Sequence, residues 1–192
     1  MNHPLQILAI SPGTGFHAPA WERVLGSGVD AFMLREPGME VRGLLAAARW
    51  CRKASPETTL WINGRLDVAL AAECGLHAPE AYPVVRGDLL PFSRPLHSKD
   101  QFDSRRDADQ LLVSPIFEVP GKNQPWGPSR FHGFLDSLPA DAPPIFALGG
   151  ITAARLKEIR HPRLSGVALI RALWETQEPD ALILQLRAAW AD

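Results

Sequence analysis

Two stretches late in the chain carry the residues best suited to hold an anion: Pro144-Ile145-Phe146-Ala147-Leu148-Gly149-Gly150-Ile151-Thr152 and Gly166-Val167-Ala168-Leu169-Ile170-Arg171. Each contains a short apolar run, read as a buried strand, that stops abruptly. The first stops at two glycines and a threonine able to cap a helix. Glycines let backbone N–H groups crowd an anion, and the start of the next helix adds its positive dipole end. Gly149, Gly150, Ile170 and Arg171 are therefore the candidate phosphate-binding residues. The glycine pair alone is equally suited to turning a strand into a helix. The second stretch tips the reading towards phosphate, because barrels of the (β/α)8 type bind phosphate after strands seven and eight.

Other groups fit for chemistry recur just after apolar runs. In order they are Arg35 and Glu36; Asn63, Gly64 and Arg65; His77 and Glu80; His97 and Ser98; and Glu118, Lys122 and Asn123. Arg35, Arg65, Lys122 and Arg171 on one rim would suit a ligand with more than one anionic group. Any one of them is as well explained as a solvated or structurally paired charge. His97 ends an apolar run and could exchange a proton near neutral pH. His77 reads as a satisfied rim histidine, and His3, His17, His132 and His161 as surface or loop residues.

The elements that must position these groups alternate along the chain. Strands are expected at residues 5–10, 31–35, 59–62, 75–78, 91–96, 111–116, 145–148 and 167–170. Helices are expected at 19–25, 40–53, 66–74, 99–107, 129–138, 153–159 and 179–191, with a poor one at 82–89. The helix over 40–53 sets Leu44, Leu45, Ala48 and Cys51 on one face. Eight such units, each of about 25 residues, make a single-domain α/β (β/α)8 TIM barrel with the active site at the C-terminal rim of its strands. A doubly wound open sheet is the runner-up, but no Gly-rich dinucleotide turn follows the first strand.

Whole-chain properties agree with one domain. At 192 residues the chain is near the short limit for a full barrel. Its formal net charge of -1, with no basic stripe or tail, argues against a nucleic-acid partner. No apolar run approaches the roughly 20 residues of a membrane span, and no export signal opens the chain. A cytoplasmic location is expected, with the two cysteines, Cys51 and Cys74, as buried free thiols.

The order Leu34-Arg35-Glu36, Ile62-Asn63-Gly64-Arg65-Leu66-Asp67-Val68-Ala69-Leu70, Gly75-Leu76-His77-Ala78-Pro79-Glu80, Leu96-His97-Ser98, Ser114-Pro115-Ile116-Phe117, Lys122, Gly149-Gly150-Ile151 and Gly166-Val167-Ala168 resembles the thiamine phosphate synthase/TenI superfamily over essentially the whole chain. The resemblance implies a barrel that binds phosphorylated thiazole and pyrimidine precursors of thiamine. Synthases join the two with magnesium helping pyrophosphate leave; TenI relatives catalyse a metal-free tautomerisation of the thiazole phosphate. The departures weigh towards TenI. Asn63-Gly64 replaces the synthase Asn-Asp, and Ala78-Pro79-Glu80 replaces the stretch with the second metal carboxylate. Magnesium depends on such hard oxygen ligands. Arg35-Glu36-Pro37 lacks the synthase lysine, and Ser93-Arg94-Pro95-Leu96-His97 keeps the family histidine without its serine. Pro115 stands where tautomerases carry a histidine.

The expectation is a TenI-like domain over residues 1–192 that binds a thiazole phosphate or related precursor. In it His97 and then Glu36 are the acid/base candidates, and Arg35, Asn63 and Lys122 the substrate-binding ones. No cofactor and no metal ligand are expected, magnesium being needed only by a divergent synthase. The expected partner is a phosphorylated small molecule, with neither nucleic acid nor membrane, and a homo-oligomer is compatible with the sequence. The alternatives are that divergent synthase, recruiting Glu80 or Asp67 for metal, a non-catalytic phosphate-ligand-binding or regulatory barrel, and an unrelated barrel isomerase of sugar phosphates.

Overall fold

In the computed structural model, which describes residues 3–82, 89–122 and 124–191, eight parallel strands close into a barrel in sequential order. They are β1 (Gln6–Ile10), β2 (Ala31–Leu34), β3 (Thr59–Asn63), β4 (Gly75–His77), β5 (Phe92–Leu96), β6 (Gln110–Val113), β7 (Ile145–Leu148) and β8 (Leu164–Leu169), with β8 pairing back onto β1. The helices are α1 (Ala18–Leu25), α2 (Val41–Ala54), α3 (Leu66–Ala71), α4 (Pro128–Asp136), α5 (Ala153–Glu158), α6 (Arg171–Glu175) and α7 (Pro179–Ala191). Closure excludes the open sheet. Among the described residues no helix is long and apolar enough to cross a membrane.

Side chains alternate across each strand, so the barrel has two cores. Leu8, Ile10, Ala31, Met33, Trp61, Leu112, Phe146 and Ala168 fill the lumen. Their neighbours Ile7, Ala9, Phe32, Leu34, Leu60 and Ile62 face outward against the helices. Two ring side chains fill the lumen because glycines make room for them. A Cβ on Gly75 would lie 2.4 Å from the Trp61 ring, and one on Gly166 would lie 2.6 Å from the Phe146 ring. In the outer core α2 buries Leu44, Ala47, Ala48 and Cys51. Burial pushes the thiols of Cys51 and Cys74 up to about 12 and about 11, which keeps both protonated and inert.

Several boundaries depart from the expected ones. The helix expected at 99–107 is a short 3-10 turn, Lys99–Gln101. That segment offers only Phe102 as an apolar side chain before Ala108, too little of a stripe to hold a helix on the barrel. The sixth strand stops at Val113 rather than Ile116, since Pro115 has no N–H for the ladder. The eighth begins at Leu164, three residues earlier than the apolar run suggests. After it lies α6, too brief for a periodic signal; its Trp174 donates from Nε1 to the Ile10 carbonyl at 2.7 Å, tying the end of β8 to the end of β1. The poor helix expected over 82–89 falls largely outside the described residues.

Candidate active site at the barrel mouth

The alternation that fills the lumen also selects what reaches its mouth. Met33 and Trp61 point into the lumen, so Arg35 and Asn63, two residues on, lie on the lumen side at the C-terminal rim. By the same step Gly75 leads to His77, Leu112 to Ser114, Phe146 through Leu148 to Gly150, and Ala168 to Ile170. On β5 the outward-facing Leu96 leaves His97 on the lumen side. Candidates read from six separate segments thus share one rim above an apolar floor. A cleft of about 370 Å³ between α5 and α7, lined by Ala153, Ala154, Lys157, Gln185, Ala188 and Ala189, lies on the helical exterior instead.

At the end of β7 the chain turns through Gly149 and Gly150, at φ +108° and +67°. Both lie where a side chain has no room. A Cβ on Gly149 would lie 3.0 Å from Pro115, and one on Gly150 would lie 2.8 Å from the Phe117 Cβ. The segment after β6 is fastened across this turn, with the Ile116 N–H donating to Leu148 O at 2.9 Å and the Phe117 N–H to Gly149 O at 3.1 Å. Arg155 donates to Gly150 O at 3.1 Å, and Thr152 caps α5 by accepting the Arg155 N–H. Among the described residues the Gly149 and Gly150 N–H groups meet no acceptor in the chain. Ile170 is the residue preceding α6, and Arg171 is its exposed first residue.

Across the mouth, His97 is held from two sides. Its Nδ1 lies 2.8 Å from Ser114 O, which can only accept, so Nδ1 carries a proton and Nε2 is the atom free to exchange one. Nε2 stands 3.5 Å from Glu80 Oε2. Glu80 is gripped in turn by Arg105, with Nη2 2.6 Å from Oε1 and Nη1 3.2 Å from Oε2. Gln101 adds a bond from Nε2 to Glu80 Oε1 at 2.9 Å, while its own Oε1 accepts the His97 N–H at 2.8 Å. Arg105 is buried and also donates to Pro95 O. The Arg105 guanidinium holds the Glu80 carboxyl below the usual carboxylate range. Nothing local in the sequence marks Arg105 or Ser114 as part of this network; Arg105 stands 25 residues from Glu80.

His77 lies deeper, with Nδ1 3.0 Å from the buried Ser93 Oγ. Burial first, and then the charges of Arg94 and His97, lower its pKa to about 4, so it is neutral at pH 7. Arg65, in contrast, is turned away into a two-bond exposed pair with Asp67, at 3.0 and 2.7 Å. Glu36 is buried beneath the loop after β1, where Gly13 and Gly15 donate to its two oxygens. Lys122 is exposed in the loop after β6, and Asn123 lies outside the described residues. Among the described residues no group of three or more His, Cys, Asp or Glu side chains is arranged to hold a metal ion.

The sequence pattern of the thiamine monophosphate synthase family matches residues 96–173, from the end of β5 to α6. Similarity reaches further in whole proteins. The thiamine-phosphate synthase of Albidiferax ferrireducens is 32% identical over 171 residues, covering 83% of this chain and 78% of that protein. The chain belongs to the thiamine monophosphate synthase family. The family's thiamine-phosphate synthase from Syntrophomonas wolfei is 31% identical over 186 residues, covering 88% of this chain and 86% of that one. A thiamine phosphate pyrophosphorylase structure from Pyrococcus furiosus superposes with a TM-score of 0.84 over 97% of this chain and 96% of that one; at 18% identity it speaks for the fold alone. The family assignment places the chain among thiamine-biosynthesis proteins, and the closed barrel agrees with it in fold.

Proposed function

We propose that the mouth binds a thiazole phosphate or a closely related thiamine precursor and that its chemistry is a metal-free proton transfer, a tautomerisation. The observation that carries this reading is the tight Gly149-Gly150 turn, whose N–H groups are unused at the lumen-facing end of β7. The phosphate is assigned to the backbone of Gly149, Gly150, Ile170 and Arg171. Arg35, Asn63 and Lys122 serve the ring and its carboxylate. His97 is the acid/base group, exchanging the proton at Nε2 beside the Glu80 carboxylate.

The magnesium that coupling would need does not fit the residues present. Gly64 has no side chain to offer. The oxygens of Glu80 are engaged by Arg105 and Gln101, and those of Asp67 by Arg65. A divergent synthase is the second reading, favoured by the thiamine-phosphate synthases that are about a third identical to this chain.

Calorimetric titration with thiazole phosphate, with and without magnesium, separates the two. Binding should be independent of magnesium and should be lost in Gly150→Glu, whose side chain collides with Phe117 and so displaces the turn that presents the N–H groups. Each charge-assisted hydrogen bond lost is worth about 1.5–3 kcal/mol. Unchanged affinity in that variant removes the phosphate assignment. Coupling of pyrimidine diphosphate to thiazole phosphate that stops with a chelator replaces the tautomerase reading by the synthase one. Binding without any turnover marks a non-catalytic barrel.

A further inference from the structure

Glu36 stands next to a rim residue but does not share its side of the barrel. Along β2, Ala31 and Met33 point into the lumen, whereas Phe32 and Leu34 point outward. Continued past the strand, the alternation puts Arg35 on the lumen side and Glu36 on the outer side. There Glu36 is only 5% exposed, and a carboxylate so buried needs donors. Both come from one loop: the Gly13 N–H reaches Oε1 at 3.1 Å, and the Gly15 N–H reaches Oε2 at 2.7 Å. The two glycines have φ values of +88° and +90°, which turn their amides towards a common point and form a concave anion seat. Charge-assisted bonds of this kind are roughly twice as strong as neutral ones.

The loop so fastened touches Arg35 twice. The buried Ser11 accepts the Arg35 N–H on its Oγ at 2.8 Å, while its own N–H donates to Met33 O at 2.9 Å. Gly13 packs on the guanidinium: a Cβ there would lie 3.6 Å from Arg35 Nη1. Phe16 closes the far end of the loop, edge-on to Trp21 and Trp50.

Building on the reading that the mouth takes an anionic thiamine precursor, we propose that Glu36 is a positioning residue: it clamps the loop over residues 11–15 and through it sets Arg35 for the anion. Its oxygens act on the loop backbone and not on the reacting atoms.

Two measurements on the full chain test this. By hydrogen exchange, the Gly13, Gly15 and Arg35 amides should all be protected in the wild type. All three should exchange at least about tenfold faster in Glu36→Ala, while Phe32 to Leu34 keep their protection. Glu36→Gln retains a single acceptor oxygen and should release only one glycine amide; should Glu36→Ala not fold, Glu36→Gln carries both measurements. Arg35 protection that survives loss of the clamp overturns the proposal. In calorimetry with thiazole phosphate, Glu36→Ala should weaken binding by about tenfold. The same substitution in an Arg35→Ala background should have no further effect, because Arg35 is the route by which Glu36 acts. Equal losses in both backgrounds overturn the proposal. A wild type that binds no thiazole phosphate defeats the functional reading instead, and the exchange pattern still decides whether Glu36 holds the loop that carries Arg35.

Discussion

In the proposed reaction His97 is the residue that moves the proton. A carbonyl facing Nδ1 fixes the tautomer, and Glu80 stands beside the atom left to exchange a proton. A general acid or base contributes about 10²–10⁴-fold to a rate. His97→Ala should therefore lower tautomerase turnover by that order while leaving the affinity for thiazole phosphate within a few-fold of the wild type, since the proposed phosphate seat is backbone after β7 and β8 whereas His97 ends β5. Steady-state kinetics paired with calorimetry provides the check. Wild-type turnover in the variant would make His97 a structural residue, fastened by Ser114 and Gln101 and nothing more.

At the scale of elements, the Glu80–His97 charges are organised where the outer layer lacks a helix. No α-helix follows β5; the 3-10 turn Lys99–Gln101 and the inward-turned Arg105 take its place. Arg105 joins the ends of β4 and β5 by holding Glu80 and the Pro95 carbonyl. Replacing it by methionine keeps much of its volume and removes the grip. Because Glu80 is half exposed and stays solvated, the expected loss is about 1–2 kcal/mol rather than the larger figure for a buried pair. Urea denaturation should show it as a lower midpoint at unchanged slope. His97 should lose turnover alongside, since its carboxylate neighbour is released. Full stability and full activity in Arg105→Met would mean that the turn is held by Gln101 and Ser98 alone.

For the molecule as a whole, His77 couples folding to pH. Its pKa is about 4 in the fold and 6.5 when unfolded, so between these values the unfolded chain binds the extra proton. Stability from this group is fully present above pH 6.5 and is lost as pH falls towards 4, on the order of 3 kcal/mol in all. Denaturation midpoints measured across that window should decline in the wild type. Carboxylates contribute to any acid decline, so the diagnostic is the difference from His77→Asn, whose curve should be flatter. Parallel curves would mean that His77 takes up its proton in the fold as readily as in the unfolded chain.

The fold and the rim were legible for one reason. Runs such as Ile145–Leu148 and Ala31–Leu34 are short, apolar and punctuated, and a strand's period of two then determines which of the next residues reach the mouth. Arg35, Asn63, His77, His97 and Gly150 follow from that period together with barrel closure. What the local pattern could not express was how each polar group is employed. Glu36 and Arg35 are adjacent, yet one clamps a loop outside the barrel and the other faces the mouth. Arg65 belongs to the cationic rim by its place in the sequence, yet its neighbour Asp67 takes it. The helix expected at 99–107 and the missed α6 failed because neither segment offers a periodic stripe long enough to read. Hydrophobic alternation is a local property of the chain and so is written in its sequence. Hydrogen-bond partners are chosen across it: Glu36 is 23 residues from Gly13, Glu80 is 25 from Arg105 and His97 is 17 from Ser114. Pairing of β1 with β2, β4 with β5 and β5 with β6 brings those residues together, and so only the tertiary structure could assign their roles.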